Sequence, residues 1–160
     1  MVDWDWDARP TYESDRIRID ATASPVVLSD LLLPRQLEDH EINLMLSIAE
    51  SRLENGLPYV GLIRQRRGTG VISARHRKVF ADWLDDRRDR LSQARFAIAV
   101  VMPEAIFRAV LRVVYRFRTP PLRTVTISDL EAAREAVLAE LDRMSEPVTP
   151  EVERWLDALS

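Results

Sequence analysis

Between Tyr59 and Leu141 the apolar residues fall into two recurring patterns: short unbroken runs, and longer stretches spaced three and four apart. The runs Tyr59 to Ile63, Phe96 to Met102 and Val125 to Ile127 suit buried strands, because a strand covered on both faces needs no polar side. The spaced stretches predict helices over 74–94, over 104–117 and from Ser128 onward. In the first of these, Val79, Phe80, Trp83, Leu84 and Leu91 take the inner face. Pro103 stands where a first helical turn tolerates a missing amide, and Thr119-Pro120-Pro121 stops the second helix. In the third, Ser128 and Glu131 make a capping-box pair, and Leu130, Ala133, Val137, Leu141 and Met144 form the stripe.

The flanks are less regular. Residues 1–13 have no periodicity and read as an acidic, aromatic tail. Ile17 and Ile19 alternate with charged residues, and Val26 to Leu28 follow a Ser24-Pro25 break, so two short strands or a hairpin are expected. A helix over 39–55 has Asp39 to cap it, Gly56 to end it, and Ile42, Met45, Leu46, Ala49 and Leu53 on one face. Glu146 to Pro150 reads as a linker, after which Val152, Trp155, Leu156 and Leu159 follow amphipathic helical spacing. The expected fold class is α/β: a single domain over 14–144 with a mixed, mostly parallel sheet and helices packed on it, plus a short C-terminal amphipathic helix within 145–160. The loops at the carboxyl ends of the parallel strands, the usual ligand-facing edge, are then Arg64 to Ser73, Met102 to Glu104 and Ser128 to Asp129.

Composition narrows the chemistry. A chain of 160 residues can bury a real core, roughly 70% of its unfolded surface. Without cysteine there is no disulfide and no thiolate catalysis or ligation, which fits a reducing, cytoplasmic setting. The start of the chain lacks the pattern of a secretory signal, and no apolar run approaches the ~20 residues of a membrane span. The net charge of −3 hides a strong polarity. Residues 1–63 carry 5 basic against 12 acidic side chains, residues 64–123 carry 15 against 5, and residues 124–160 carry 3 against 9. A basic centre between acidic ends points to an acidic or phosphorylated protein partner, while a sequence pI near 5.5 makes nucleic acid an unexpected one.

Arg64, Arg66, Arg67, Gly68, Thr69, Gly70, Arg75 and Lys78 compose a partner- or phosphate-binding candidate at a strand-to-helix loop, where converging amides and cations can hold an anion. It lacks the lysine and hydroxyl spacing of a Walker loop. Thr69 and Ser73 are candidate phosphosites, since a phosphate there would meet arginines. Its bland alternative is a solvated loop balanced by the acidic ends. Two histidines, His40 and His76, are too few for a familiar metal cluster, and no nucleophile, base and orienting group can be assembled. No metal and no cofactor are therefore expected. In the helix over 104–117, apolar residues cover an arc of about 200° where one sheet needs only ~100°. Phe107, Leu111 and Tyr115, at the arc's edge, then require a second partner: a neighbouring helix, the C-terminal helix with Trp155, another subunit, or an apolar ligand.

The order of elements, and above all Phe96-Ala97-Ile98-Ala99-Val100-Val101, the following helix, Thr119-Pro120-Pro121 and Ser128-Asp129-Leu130-Glu131-Ala132-Ala133, resembles the STAS-like fold of bacterial anti-sigma-factor antagonists and related STAS/SEC14-type proteins. The likeness covers about half the chain, strongest over 95–141. It implies a non-enzymatic regulatory or scaffold module that binds another protein and is switched by phosphorylation in an Asp-Ser-like turn after the third strand. By position that turn is Arg64 to Ser73, where arginines stand in place of the acidic residue. A small-ligand or lipid carrier, with an apolar pocket beside the 104–117 helix, is the alternative expectation.

Overall fold

The computed structural model describes residues 4–32, 36–66, 72–117 and 119–159. Six strands and six helices follow in the order β1 (Thr11–Glu13), β2 (Ile17–Asp20), β3 (Val26–Leu31), α1 (Asp39–Glu54), β4 (Tyr59–Gln65), α2 (Ala74–Asp86), α3 (Arg88–Gln93), β5 (Phe96–Val101), α4 (Ala105–Phe117), β6 (Arg123–Ile127), α5 (Leu130–Arg143) and α6 (Pro150–Ala158). The strands form one sheet in sequential order, β1 to β6. β1, β2 and β3 are antiparallel neighbours, and β3 through β6 are parallel. The chain is thus an α/β fold with a mixed, mostly parallel sheet and a short C-terminal helix.

Sequential order decides where the helices go. Right-handed crossovers that always step the same way place every crossover helix on one face of the sheet. On that face α1 and α2 pack over Ile17, Ile19, Val27, Leu31, Tyr59 and Phe96. The opposite face has no crossover to cover it, so the chain beyond β6 supplies the cover. There Ala133, Val137 and Leu141 of α5 and Val152 and Leu156 of α6 meet Val26, Leu28, Val60, Leu62, Ala97 and Ala99. The run Phe96 to Val101 is accordingly buried on both sides, as its unbroken apolarity predicts.

Several expectations are corrected. Thr11 to Glu13, inside the segment read as a tail, form the edge strand β1, and Trp6 is buried with its Nε1–H donating to Ser47 Oγ at 3.0 Å. Period-based reading misses such a segment because one aromatic anchor and three residues of pairing leave no repeat. Asp39 is not the cap of α1. Glu38 holds that place in a capping box with Glu41, and the Asp39 carboxylate is free to reach another helix. The helix expected over 74–94 breaks at Arg87, whose guanidinium turns inward over the Trp83 ring to bond the buried Glu50, which also accepts from Trp83 Nε1–H at 2.7 Å. The predicted stop at Gly56 holds. With φ of +64° it closes a Schellman turn in which the Leu57 and Gly56 amides reach the carbonyls of Arg52 and Leu53.

Candidate functional site

The parallel register sets Asp30 of β3 beside Arg64 of β4. Strand alternation puts both on the face of Leu28, Val60 and Leu62, the one covered by α5 and α6. Arg66 clasps the buried Asp30 carboxylate at 2.7 and 3.1 Å, and Arg64 stands 3.8 Å from it. The other half of the basic run starts α2. Ser73 caps that helix, its Oγ accepting from the His76 amide at 3.1 Å, and Arg75 pairs with Asp39. Lys78 pairs with Asp82 at 2.6 Å, one turn on. Arg67, Gly68, Thr69 and Gly70 lie outside the described residues.

A run that is contiguous in sequence is thus divided in space. Arg64 and Arg66 lie with Asp30 on one side of the sheet, and Arg75 and Lys78 lie on α2, which packs on the other. Each of these four cations meets a carboxylate that is distant in sequence or one turn along its helix. The segment's lack of acidic residues therefore does not leave these four cations without a nearby carboxylate, and Asp30 and Asp39 are partners that spacing alone could not name.

Asp39 also lies 2.9 Å from His76 Nε2, and the His76 contact, more than Arg75, holds the Asp39 carboxyl below the usual carboxylate range. His76 itself is buried, and among the described residues its Nδ1 has no hydrogen-bond partner. His40 contacts Tyr12 Oη at 3.0 Å, so both histidines serve contacts at the start of helices, and no group of three potential ligands that could hold a metal occurs among the described residues. The sheet order never reverses between β3 and β6. The crevice that a reversal opens at the carboxyl edge of an open α/β sheet is accordingly not built here.

Helix α4 overturns an expectation of the sequence. Phe107, Leu111 and Tyr115 turn toward the protein and are half-buried, whereas Ile106, Val110 and Val113 are 69%, 55% and 57% exposed. Arg108 lies at the edge of the inward stripe. Its guanidinium folds back to donate to the carbonyls of Met102 and Pro103 at 2.6 and 2.7 Å, tying the first turns of the helix to the end of β5 while the neighbouring 107/111/115 stripe lies inward. Burial pushes the Tyr115 hydroxyl above its ordinary pKa. Tyr115 and Arg112 border an open groove of about 580 Å³ against Arg123 to Thr126 of β6. Trp155 is not brought to this helix, for it packs with α6 on the opposite face of the sheet.

The enclosed apolar space beneath α1 and α2 is small. A cavity of about 70 Å³ is lined by Ser29, Met45, Phe80, Trp83 and Phe96 among others. No helix of the described residues is long and apolar enough to cross a membrane. Comparison with protein families, curated proteins and solved structures finds no match for this chain.

Proposed function

We propose that this chain is a STAS-like, non-enzymatic interaction module of the cytoplasm that regulates or scaffolds an acidic or phosphorylated protein. The observation that carries this reading is the outward apolar stripe of α4, three β-branched residues held in water on a protein whose other helices bury their stripes. Contiguous apolar side chains exposed in this way mark interaction surfaces. The strand order adds support, since it does not reverse between β3 and β6 and so makes no switch-point crevice there. Arg64, Arg66, Arg75 and Lys78 enter the proposal as a switchable rim. A phosphate at Thr69 or Ser73 would compete with Asp30, Asp39 and Asp82 for their guanidinium and ammonium groups.

The carrier reading draws less support. Ligand pockets run to roughly 300 Å³ or more and bury most of their occupant. The cavity under α1 and α2 holds about 70 Å³, and the larger groove beside Tyr115 is open to solvent.

The deciding experiment places a photocrosslinking amino acid at position 110, at position 75, and at exposed Glu135 as a control, in the full chain within its native host. A discrete protein adduct from position 110 or 75, absent from position 135, is the expected result. The absence of an adduct at both surfaces discards the interaction module.

A further inference from the structure

Ile106, Val110 and Val113 are spaced four and three along α4. That is the a/d repeat by which one helix packs lengthwise on another, and it differs from the wider arc of a helix lying on a sheet. Here the sheet-facing arc is already served by Phe107, Leu111 and Tyr115, so α4 has two apolar stripes and one of them has no partner among the described residues. We propose that the outer stripe of α4 docks an acidic amphipathic helix of a partner protein. This rests on the interaction-module reading and names the partner's chemistry and the surface it uses.

Charge selects the occupant. From Ala105 to Ser128 the chain holds five arginines and no acidic residue. Arg108 is engaged with backbone carbonyls and Arg123 with Glu140, while Arg112 is exposed and makes no ion pair with any described residue. A second α4 laid on the first would bring arginine flanks together without a carboxylate between them, so a copy of this chain is disfavoured. An anionic lipid surface needs a broad basic plane. On the same face of the sheet, α2 and α3 instead present mixed charge, with Asp82 against Lys78 and Asp85 against Arg88. A helix with apolar a and d residues and glutamate at the flanks satisfies both the spacing and the charge.

The test uses the full chain and two synthetic helical peptides of about three heptads that share leucine at a and d and differ in their flanking residues, glutamate in one and lysine in the other. The glutamate peptide is expected to bind at least about tenfold more tightly than the lysine peptide, with the preference shrinking as salt rises. Val110→Asp is expected to remove binding while leaving the melting curve in place, and Arg112→Glu to reverse the preference between the peptides. Equal binding of the two peptides, binding by neither, or binding that survives Val110→Asp overturns the proposal. So does a dimer in light scattering that Val110→Asp dissociates, or sedimentation with phosphatidylserine vesicles that the same variant abolishes. The crosslinking experiment keeps the two readings apart: an adduct at position 75 without one at 110 retains the interaction module and discards this surface, and no adduct at either discards both.

Discussion

Helices α4 and α5 begin from similar sequences and end in opposite situations. Each follows a strand of the parallel sheet and carries apolar residues at helical spacing. In α5 the stripe Ala133, Val137 and Leu141 is fully buried against β4 and β5, while in α4 the residues Ile106, Val110 and Val113 stand in solvent. The difference lies in how many stripes there are and which one the sheet selects. α5 has a single apolar stripe, edged by charged residues such as Glu131, Arg134 and Glu135, so its rotation is determined by its own pattern. α4 is apolar around more than half its circumference, so its own pattern does not single out one inward face, and the structure turns the 107/111/115 side in.

The sharpest way to break this comparison is to place the same charge in both helices. Val137→Asp buries an unpaired carboxylate and is expected to cost more than about 4 kcal/mol, enough to unfold a domain of this size, whereas Val110→Asp should stay within about 0.5 kcal/mol of the parent in urea denaturation. Equal losses at the two sites would mean that the outer stripe of α4 is covered after all.

A second, smaller effect tests the well-packed half of the face on which α4 sits. The Tyr59 ring folds along β4 over Gly61 and packs on Phe96, with ring centroids 5.0 Å apart. A Cβ at Gly61 would come within 2.8 Å of that ring, so Gly61→Ala must displace it and is expected to lose about 1–3 kcal/mol, read from the same denaturation curves.

Acid probes the α1 end of that face. Burial raises the Glu41 carboxyl, but hydrogen bonds from Ser14 and the Glu38 amide and the Arg16 guanidinium outweigh it, leaving the group below its ordinary value. A carboxyl depressed in the folded state adds stability that is complete above its unfolded pKa and is lost as pH falls through the folded one. The urea midpoint of the parent should therefore drop more than that of Glu41→Gln between neutral pH and the acid range below normal carboxylate titration. Equal drops would remove Glu41 from the account.

The smallest expected change is a gain in α5. Ser145 closes that helix with φ of +57°, its amide and that of Glu146 bonded to the carbonyls of Asp142 and Leu141. Ser145→Gly removes the strain of a left-handed residue and should raise stability by about 0.5–1 kcal/mol in thermal or chemical melts.

Most of the fold was legible in sequence because it is written in short-range patterns. The unbroken run Phe96 to Val101, the Gly56 stop and the Val152/Leu156 spacing each specify an element within one or two turns of chain. The candidate site was legible only as composition. The arginines from Arg64 to Lys78 could be counted, but their partners Asp30 and Asp39 lie some 36 residues away in sequence and are brought to them by the β3–β4 register and by the approach of α1 to α2. Trp6 escaped notice for a related reason, since its partner Ser47 is 41 residues distant.

The sequence by itself determined the element order from β2 onward apart from the break at Arg87, the parallel core of the sheet and the surplus of apolar residues on α4, because periodicity, glycine and proline act locally. Tertiary structure alone decided that the basic run would be split across the sheet, with Arg64, Arg66 and Arg75 set beside carboxylates distant in sequence, and that Ile106, Val110 and Val113 rather than Phe107, Leu111 and Tyr115 would face solvent. Those outcomes depend on which strand lies beside which and on which side of α4 meets the rest of the protein, and neither is a property of any single stretch of chain.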